Sequence, residues 1–392
     1  MKYYLIAGEA SGDLHGSNLI KGLLSEDPDC RIRYWGGSLM DRAWTAAGNP
    51  SNLVRDYREG AVMGFVDVLK KARRLSLNLK MCREDILRFA PDVVVLIDYP
   101  GFNLKIARFA HSRGIKVFYY IAPKVWASRE GRIRKIKAWV DRLFIVFPFE
   151  KPYFNGKGIG YTYAGNPLVD AVDSSEQVHI SREEFFKANG IPEGRYIALL
   201  AGSRKSEISY MMPVFAAFAD TLRNIPQYSD IQFIIAGAPS RSEEDYRRWT
   251  EGRESYMHIL FGNTYGILRH AESAVINSGT ASLEAALIGT PQVVGFATGK
   301  LSYMIGRRLI KVKFISLGNL ILGRRAFREF LQYYFTPGNL VDETRRIMED
   351  TLYREGMKAC YAEIRTLLGG GGASRRVAAA MVRELNTPAP RK

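Results

Sequence analysis

Cysteine is scarce in this sequence, which holds only Cys30, Cys82 and Cys360. These residues are too widely separated for a metal or redox motif, and such usage is typical of a reducing compartment. No apolar run approaches the roughly twenty residues that a membrane-spanning helix needs. The apolar stretch at the start is too short for a signal peptide. We therefore expect a cytoplasmic protein that does not cross a membrane.

The motifs of several common chemistries are also missing. The sequence has no GxxxxGK[ST] phosphate loop, no HExxH and no GxSxG elbow. It has 5 His, and they are not clustered as zinc ligands. We predict a protein that uses neither a metal ion nor a bound cofactor.

Length and charge narrow the class of protein further. The chain has 392 residues, 47% hydrophobic and 24% charged, as in an ordinary folded protein. This length exceeds what one core usually serves, so two domains are expected. The net charge of +16 predicts an anionic partner. Nucleic acid, an anionic lipid surface and a phosphorylated substrate all fit that charge.

Strand-like apolar runs alternate with helical patterns along most of the chain. The runs are YYLIAG, DVVVLI, KVFYYI and RLFIVF before the polar residues 170–192, and YIALLAG, IQFIIAG, SAVINSG and PQVVGF after them. Strands separated by helices at this interval form right-handed βαβ units. We predict an α/β protein with two doubly wound, Rossmann-like parallel-sheet domains facing a cleft. Their predicted bounds are residues 1–170 and 171–340.

The last segment, residues 341–392, is helical in pattern and charged, and GGGG interrupts it at 369–372. A flexible joint of this kind suits a tail that packs away from the domain preceding it. We predict that the tail packs back on an N-terminal domain, either its own or that of a neighbouring subunit.

Ligands of parallel sheets bind beyond the carboxyl ends of the strands, where helix N-termini add positive partial charge. The first such place is GEASGDLHG at residues 8–16. It is not a GxGxxG fingerprint, and a tight turn in which Ser11 or Asp13 caps the helix is one interpretation. The ionisable residues Glu9, Asp13 and His15 among these glycines favour the other interpretation, a functional site. The predicted set is Gly8, Glu9, Ser11, Gly12, Asp13 and His15.

The second and third places follow strands in the other half of the chain. Ser278, Gly279 and Thr280 form a small-residue turn whose amides could hold a phosphate. Glu284 could accept the hydroxyls of a ribose, or it could merely complement the helix dipole. Arg204, in the turn AGSRK, could neutralise a diphosphate, or it could be an ordinary surface arginine.

Asp98 directly follows the apolar run DVVVLI, in the stretch IDYPGFN. A carboxylate at the end of a buried strand is poorly solvated on one side, which raises its pKa and suits it to general-base work. An N-cap for the next helix is the alternative, but Asp98 lies early for that role. We therefore favour a functional Asp98.

Two further features involve basic residues. Residues 129–142 contain six basic residues against two acidic ones. A helix predicted over residues 64–79 has an apolar stripe ringed by lysine and arginine, and it could lie in a bilayer interface. Periodicity alone favours an ordinary core-facing helix. The candidate membrane-facing residues are Phe65, Val66, Val68, Leu69, Ala72 and Leu75.

A family resemblance unites these pieces. GEASGD at residues 8–13 and AVMGF at 61–65 resemble the lipid A disaccharide synthase family, bacterial inverting glycosyltransferases of the two-Rossmann GT-B architecture. The resemblance continues in order through IDYPGFN, PKVWA, FPFE, GNP, GSR, SGTASLE and SLGNLILGR, and so covers nearly the whole chain. SGT with the later glutamate would by itself indicate only nucleotide-sugar binding.

The resemblance implies an activity and its residues. The family joins UDP-diacylglucosamine to diacylglucosamine 1-phosphate, giving a β-1,6-linked disaccharide phosphate and UDP. Asp98 matches the catalytic carboxylate, and Arg204, Glu284 and Asn319 match the UDP site, where Ser278, Gly279 and Thr280 would also lie. The resemblance further implies a homodimer with exchanged C-terminal segments, peripheral on the inner face of the bacterial inner membrane. The apolar helix then gains a purpose, which favours the interfacial interpretation.

Some features depart from the family pattern, and rival functions remain. Gly318, Leu322 and Ser128 stand where the family often has proline, alanine and tryptophan, which bears on local loop geometry.

A UDP-sugar epimerase of the same fold would share SGT and the glutamate but need no acceptor. A basic nucleic-acid-binding protein ranks lower, because the cations are dispersed and no known nucleic-acid module is present. We therefore expect no nucleic-acid partner.

Overall fold

The computed structural model describes residues 1–60, 68–300, 303–304, 306 and 312–387. Two compact units form, which we call unit 1 (Met1–Ala171 with Leu368–Lys392) and unit 2 (Val172–Leu367). Both are parallel-sheet α/β structures, which confirms the predicted fold class.

Unit 1 contains a seven-stranded parallel sheet in the order β3-β2-β1-β4-β5-β6-β7. Its central strands are apolar on both faces because helices cover both sides. The strands are β1 Lys2–Ala7, β2 Arg31–Gly36, β3 Leu53–Asp56, β4 Val93–Ile97, β5 Lys116–Tyr120, β6 Arg142–Ile145 and β7 Tyr161–Tyr163.

Helices follow the strands of unit 1, and the last helix of the chain joins them. Their bounds are α1 Ala10–Glu26, α2 Ser38–Thr45, α3 Val68–Phe89, α4 Pro100–Ser112, α5 Arg132–Trp139, α6 Glu150–Gly156, α7 Pro167–Asp173 and, at the end of the chain, α16 Ala373–Asn386. α16 packs on α1 so closely that a Cβ added at Gly22 would lie 3.0 Å from the Cβ of Ala378. Asp170 accepts the backbone N–H of Ser374 at 2.8 Å and so caps α16.

Unit 2 contains a six-stranded parallel sheet in the order β10-β9-β8-β11-β12-β13. Its strands are β8 Tyr196–Leu200, β9 Gln232–Gly237, β10 Met257–Phe261, β11 Ser273–Asn277, β12 Gln292–Phe296 and β13 Glu329–Leu331. Alternate residues of β8 enter two separate cores, Ile197 and Leu199 on one face, Ala198 and Leu200 on the other.

The described helices of unit 2 are α8 Arg182–Asn189, α9 Lys205–Arg223, α10 Glu244–Thr250, α11 Thr264–His270, α12 Ala281–Ile288, α13 Leu317–Leu322, α14 Pro337–Glu349 and α15 Thr351–Leu368. The predicted domain boundary at residue 341 falls inside α14. Of the predicted tail, α14 and most of α15 belong to unit 2, and α16 belongs to unit 1.

The predicted membrane-facing stripe is described only in part. Phe65 and Val66, and the side chains of Val68, Leu69 and Ala72, lie outside the described residues. Leu75 is half-buried against the core of unit 1. Among the helices of the described residues, none combines the length and the apolar character that crossing a bilayer needs.

Strand order reverses once in each sheet, between β1 and β4 in unit 1 and between β8 and β11 in unit 2. In doubly wound sheets, the carboxyl edge at such a reversal is where ligands bind. The turns after these four strands therefore form the candidate site in each unit.

Candidate active site

The reversal in unit 1 places the glycine-rich turn beside Asp98. Ala7 at the end of β1 pairs with Ile97 at the end of β4, so Gly8 and Asp98 follow neighbouring strand ends. The ring of Tyr99 lies over Gly8, and a Cβ added there would be 2.3 Å from its Cδ1. A glycine is therefore required at position 8.

The backbone at Asp98 is strained and firmly held. Asp98 and Tyr99 have φ values of 43° and 46°, a left-handed region that costs non-glycine residues about 1–3 kcal/mol each. The carbonyl of Asp98 accepts from Asn103 Nδ2 at 2.7 Å and from the Tyr119 hydroxyl at 2.6 Å. The same amide also bonds carbonyls at the ends of β1 and β4. Together these donors fix the direction in which Asp98 leaves the strand.

The electrostatic surroundings of Asp98 suit a general base. Burial raises the pKa of its carboxyl, Lys124 opposes that shift, and Glu9 adds to it. The carboxylate is half-buried and forms no side-chain hydrogen bond with another described side chain. A carboxylate with raised pKa and unused acceptor capacity can take a proton from a hydroxyl group.

Asp13 has a structural task that the sequence pattern did not reveal. Its carboxylate accepts the backbone N–H groups of Gly37 at 2.8 Å, Leu39 at 3.1 Å and Met40 at 3.0 Å. Asp13 therefore caps α2. The interpretation that it caps its own helix is corrected, because α1 begins after Glu9 without a side-chain cap. The reason is geometric: the side chain faces the neighbouring β2–α2 turn.

The other residues of this turn differ in exposure. Glu9, Ser11 and Ala10 are exposed at the carboxyl edge of the sheet. Gly12 lies against β1, where an added Cβ would be 3.1 Å from that of Ala7. His15 is buried, and burial lowers its pKa to about 4, so its ring is neutral at pH 7.

In unit 2, the turn after β8 contains Arg204. Gly202 has a φ of 96°, and a Cβ there would lie 2.5 Å from Asn277 Nδ2 and from Glu207 Oε2. Glu207 accepts the N–H groups of Ser203 at 2.9 Å and of Arg204 at 3.1 Å. The guanidinium of Arg204 bonds Glu207 Oε1 at 2.8 Å, while its side chain stays 66% exposed.

The turn after β11 lies beside it, because Ile276 pairs with Leu200 of β8. Ser278 Oγ donates to the carbonyl of Ile315 at 3.0 Å. Gly279 and Thr280 then lead into α12, which has no side-chain cap. Its first amides are therefore available to an anion.

Glu284 lies in the first turn of α12 and is half-buried. The Tyr265 hydroxyl donates to Glu284 Oε1 at 3.0 Å. Burial raises the pKa of Glu284, and the hydrogen bond from Tyr265 partly opposes that shift.

Asn319 is engaged within its own unit. Its Nδ2 donates to the Phe327 carbonyl at 3.0 Å and to Glu329 Oε1 at 2.8 Å. Its Oδ1 accepts from the N–H of Ala326 at 2.7 Å and of Phe327 at 3.4 Å. An amide has two donors and two acceptor positions, so all are used. A contact between this side chain and a nucleotide would require one of these bonds to be given up.

Two glutamates, the half-buried Glu329 and the buried Glu150, were not among the predicted residues. Glu329 accepts the N–H groups of Ile315 and Ser316, each at 3.0 Å, and so holds the segment that Ser278 also contacts. Glu150 accepts from Trp126 Nε1 at 3.1 Å and from two backbone amides, and burial raises its pKa to about 7. The FPFE and PKVWA motifs contained Glu150 and Trp126, but their pairing is long-range.

The fold and the polar turns at each strand-order reversal define a two-domain α/β protein of the GT-B class. Solved structures share the fold: a Staphylococcus aureus MnaA–UDP co-structure has TM-score 0.67 and 14% identity, covering 99% of this chain and 98% of that one. UDP-GlcNAc 2-epimerase from Neisseria meningitidis, bound to UDP-GlcNAc, has TM-score 0.63 and 13% identity, covering 98% and 100%. At these identities the likeness concerns the fold alone.

The chain belongs to the lipid-A-disaccharide synthetase family, whose model matches residues 3–380. Lipid-A-disaccharide synthase of Geobacter metallireducens is 38% identical over 95% of this chain and 94% of that protein. The same enzyme of Trichlorobacter lovleyi is 34% identical over 95% of both. The predicted family is confirmed, and the epimerase likeness does not favour the epimerase alternative.

Proposed function

We propose that this protein transfers the sugar of UDP-2,3-diacylglucosamine to the primary hydroxyl of 2,3-diacylglucosamine 1-phosphate. The products are the β-1,6-linked disaccharide 1-phosphate and UDP. The observation that carries this proposal is the family match across residues 3–380, which spans both units and both reversal sites.

Asp98 is proposed as the general base. As the acceptor oxygen attacks the anomeric carbon from the face opposite UDP, Asp98 takes the hydroxyl proton. The new C–O bond forms while the bond to the diphosphate breaks, and UDP leaves with that electron pair. Inversion at the anomeric carbon follows from this single displacement. Two observations support the assignment. The pKa of the Asp98 carboxyl is raised, and its strained backbone is held by two hydrogen bonds to its carbonyl.

The leaving diphosphate must be stabilised as it gains negative charge. We assign this to Arg204 and to the uncapped N-terminus of α12 at Ser278, Gly279 and Thr280, with Glu284 accepting ribose hydroxyls. No metal enters this scheme. Treatment with a chelator should therefore leave activity unchanged, and activity restored only by a divalent cation would contradict the scheme.

The test is an assay with both lipid substrates, in which the disaccharide phosphate is identified by mass. We expect product and UDP to form together, and only when the acceptor is present. UDP release from the donor alone, without disaccharide, would instead favour the epimerase alternative.

Both substrates carry acyl chains, so we propose that the protein works at an anionic membrane surface. The supporting feature is the apolar and basic sequence around residues 64–75. Serine at Phe65, Val68 and Leu69 should weaken sedimentation with phosphatidylglycerol vesicles. Leu75→Ser is the matched control, because Leu75 packs on the core of unit 1. Equal binding by the triple variant and the parent would contradict the proposal.

We also propose a homodimer, with the segment after residues 369–372 exchanged between subunits. In unit 1, Arg375 Nε lies 2.8 Å from Glu26 Oε1, which gives a surface pair for cross-linking. Cysteine at both positions should yield a covalent dimer on oxidation if the helices are exchanged. A cross-linked monomer would show that each chain keeps its own helix.

A further inference from the structure

Three cations after β5, Lys124, Arg129 and Arg132, form no ion pair at contact distance within the described part of the chain, although Asp98 acts on two of them from farther away. Lys124 and Arg129 are exposed, and Arg132 is half-buried as the first residue of α5. None of the three takes part in the ion pairs and side-chain hydrogen bonds that the structure records. Their neighbour Glu130 is paired with Lys157 at 2.5 Å. Other described arginines, such as Arg33 with Asp85 and Arg253 with Asp220, do pair with a carboxylate.

These cations lie at the same edge of the sheet as Asp98. β5 pairs with β4 through Tyr120 and Ile97, so the loop after β5 adjoins the end of β4. α5 packs against α4, the helix that starts just after Asp98. Lys124 and Arg132 both lie close enough to lower the pKa of Asp98.

Three further features of this loop indicate an anion. Burial lowers the pKa of Arg132, and the nearby Arg129 lowers it further. Asp98 offsets this repulsion between the two guanidinium groups only in part, and a bound anion would relieve the rest. Arg129 also has a φ of 56°, a strained conformation that is common where side chains clamp a ligand. α5 itself begins with no side-chain cap and no acidic residue in its first turn.

We propose that Lys124, Arg129 and Arg132 bind the phosphomonoester of the acceptor sugar. This inference rests on the proposed function, in which the acceptor is a glucosamine 1-phosphate. A phosphomonoester carries close to two negative charges at neutral pH, and guanidinium groups bind it with paired hydrogen bonds. The phosphate and the primary hydroxyl belong to one sugar ring. Holding the phosphate beside Asp98 therefore presents the hydroxyl to the base.

The experiment compares two acceptors, diacylglucosamine 1-phosphate and the same lipid without its phosphate. For the phosphorylated acceptor, Arg132→Gln should lower kcat/KM by about ten- to a hundredfold, the range expected for a lost charged hydrogen bond. For the acceptor without phosphate, the same variant should lower kcat/KM far less, by no more than the loss of its charge effect on Asp98 produces. Arg129→Gln should show the same selectivity.

Arg134→Gln is the matched control, because Arg134 is an exposed cation on the same helix and is not among the charges that act on Asp98. It should leave both acceptors unaffected. UDP binding and thermal unfolding of Arg132→Gln should equal those of the parent, which separates the effect from misfolding.

Two outcomes would overturn the proposal. If Arg132→Gln slows both acceptors equally, the cations act on Asp98 and not on the phosphate. If it weakens binding to phosphatidylglycerol vesicles but leaves the acceptor preference unchanged, the cluster binds lipid headgroups of the membrane.

A binding measurement distinguishes this inference from the proposed function. Calorimetry with diacylglucosamine 1-phosphate, in the absence of donor, needs no turnover. Weaker binding to Arg132→Gln would support the phosphate site even if the protein made no disaccharide. Equal binding to variant and parent would overturn it even if the disaccharide formed.

Discussion

The two units repeat one topology but differ in what they place at the strand-order reversal. Unit 1 has a carboxylate there, Asp98, on a strained backbone, and the neighbouring Gly8 lies under the ring of Tyr99. Unit 2 has small residues, an uncapped helix start and the exposed Arg204. In the function that we propose, one edge accepts a proton and the other binds an anion. Parallel sheets thus fix where chemistry occurs, while the residues in the turns decide which chemistry it is.

The largest expected effect comes from removing the carboxylate charge in unit 1. Asp98→Asn keeps the shape of the side chain but cannot take a proton, so turnover should fall by about 10²–10⁴-fold. UDP binding should be unchanged, since the nucleotide is assigned to unit 2. The measurement is kcat beside calorimetry with UDP. Near-normal kcat would remove Asp98 from the base role.

The reciprocal change concerns unit 2. Arg204→Ala removes a charged donor assigned to the diphosphate, so UDP affinity should fall by about ten- to a hundredfold. Arg223→Ala is a suitable control, because that arginine bonds the Ile231 carbonyl within unit 2. Unchanged UDP affinity in Arg204→Ala would show that the two reversal sites do not divide the work as proposed.

A smaller effect should follow from loosening the support of Asp98. Asn103→Ala removes the amide that bonds the Asp98 carbonyl and both strand ends, and kcat should fall about tenfold with little change in the KM of the donor. Tyr119→Phe removes only one donor to that carbonyl, so kcat should fall less in this variant than in Asn103→Ala. A loss of thermal stability with unchanged kcat would assign Asn103 a purely structural role.

The pH profile of the parent protein and of Lys124→Met tests how Asp98 titrates. Its pKa is raised by burial, so kcat/KM should fall on the acid side at a higher pH than an ordinary aspartate would give. Lys124 opposes the shift, and Lys124→Met should therefore move this acid limb to higher pH. A limb that stays in place, or that moves to lower pH, would contradict the electrostatic description.

The last prediction concerns the stability of unit 1 and not turnover, and its subject is Glu150. Burial raises its folded pKa from 4.5 to about 7, so the folded state binds this proton more tightly than the unfolded state. Its contribution is fully present below the unfolded pKa and is lost as pH rises through about 7. Glu150→Gln should flatten the pH dependence of the free energy of unfolding between these values, by up to about 3 kcal/mol. An identical pH dependence in parent and variant would contradict it.

Sequence patterns predicted the alternation of strands and helices and the turns that follow them. These features are local, because an apolar run that ends in glycine is recognisable from a few consecutive residues. The task of Asp13 was not predictable, since its partners Gly37 and Met40 come from the next βα turn. The same holds for Glu150 and Glu329. Their backbone and side-chain partners become visible only when the chain is folded.

Asn319 shows a second limit of prediction from sequence, which concerns the role of a residue and not its partners. Family resemblance assigned it to the nucleotide, whereas the structure satisfies its amide with Phe327, Ala326 and Glu329. A motif indicates that a residue is important. It does not distinguish a residue that binds a ligand from one that maintains the conformation of the binding loop.

Unit 1 is assembled from both ends of the polypeptide, because α16 packs on α1. As the nascent chain leaves the ribosome, α1 emerges long before the helix that covers it. Unit 2, continuous in sequence, can complete its packing first. A stop codon placed before Ala373 would therefore damage the half of the protein that was translated earliest, and would leave the most recently translated half intact.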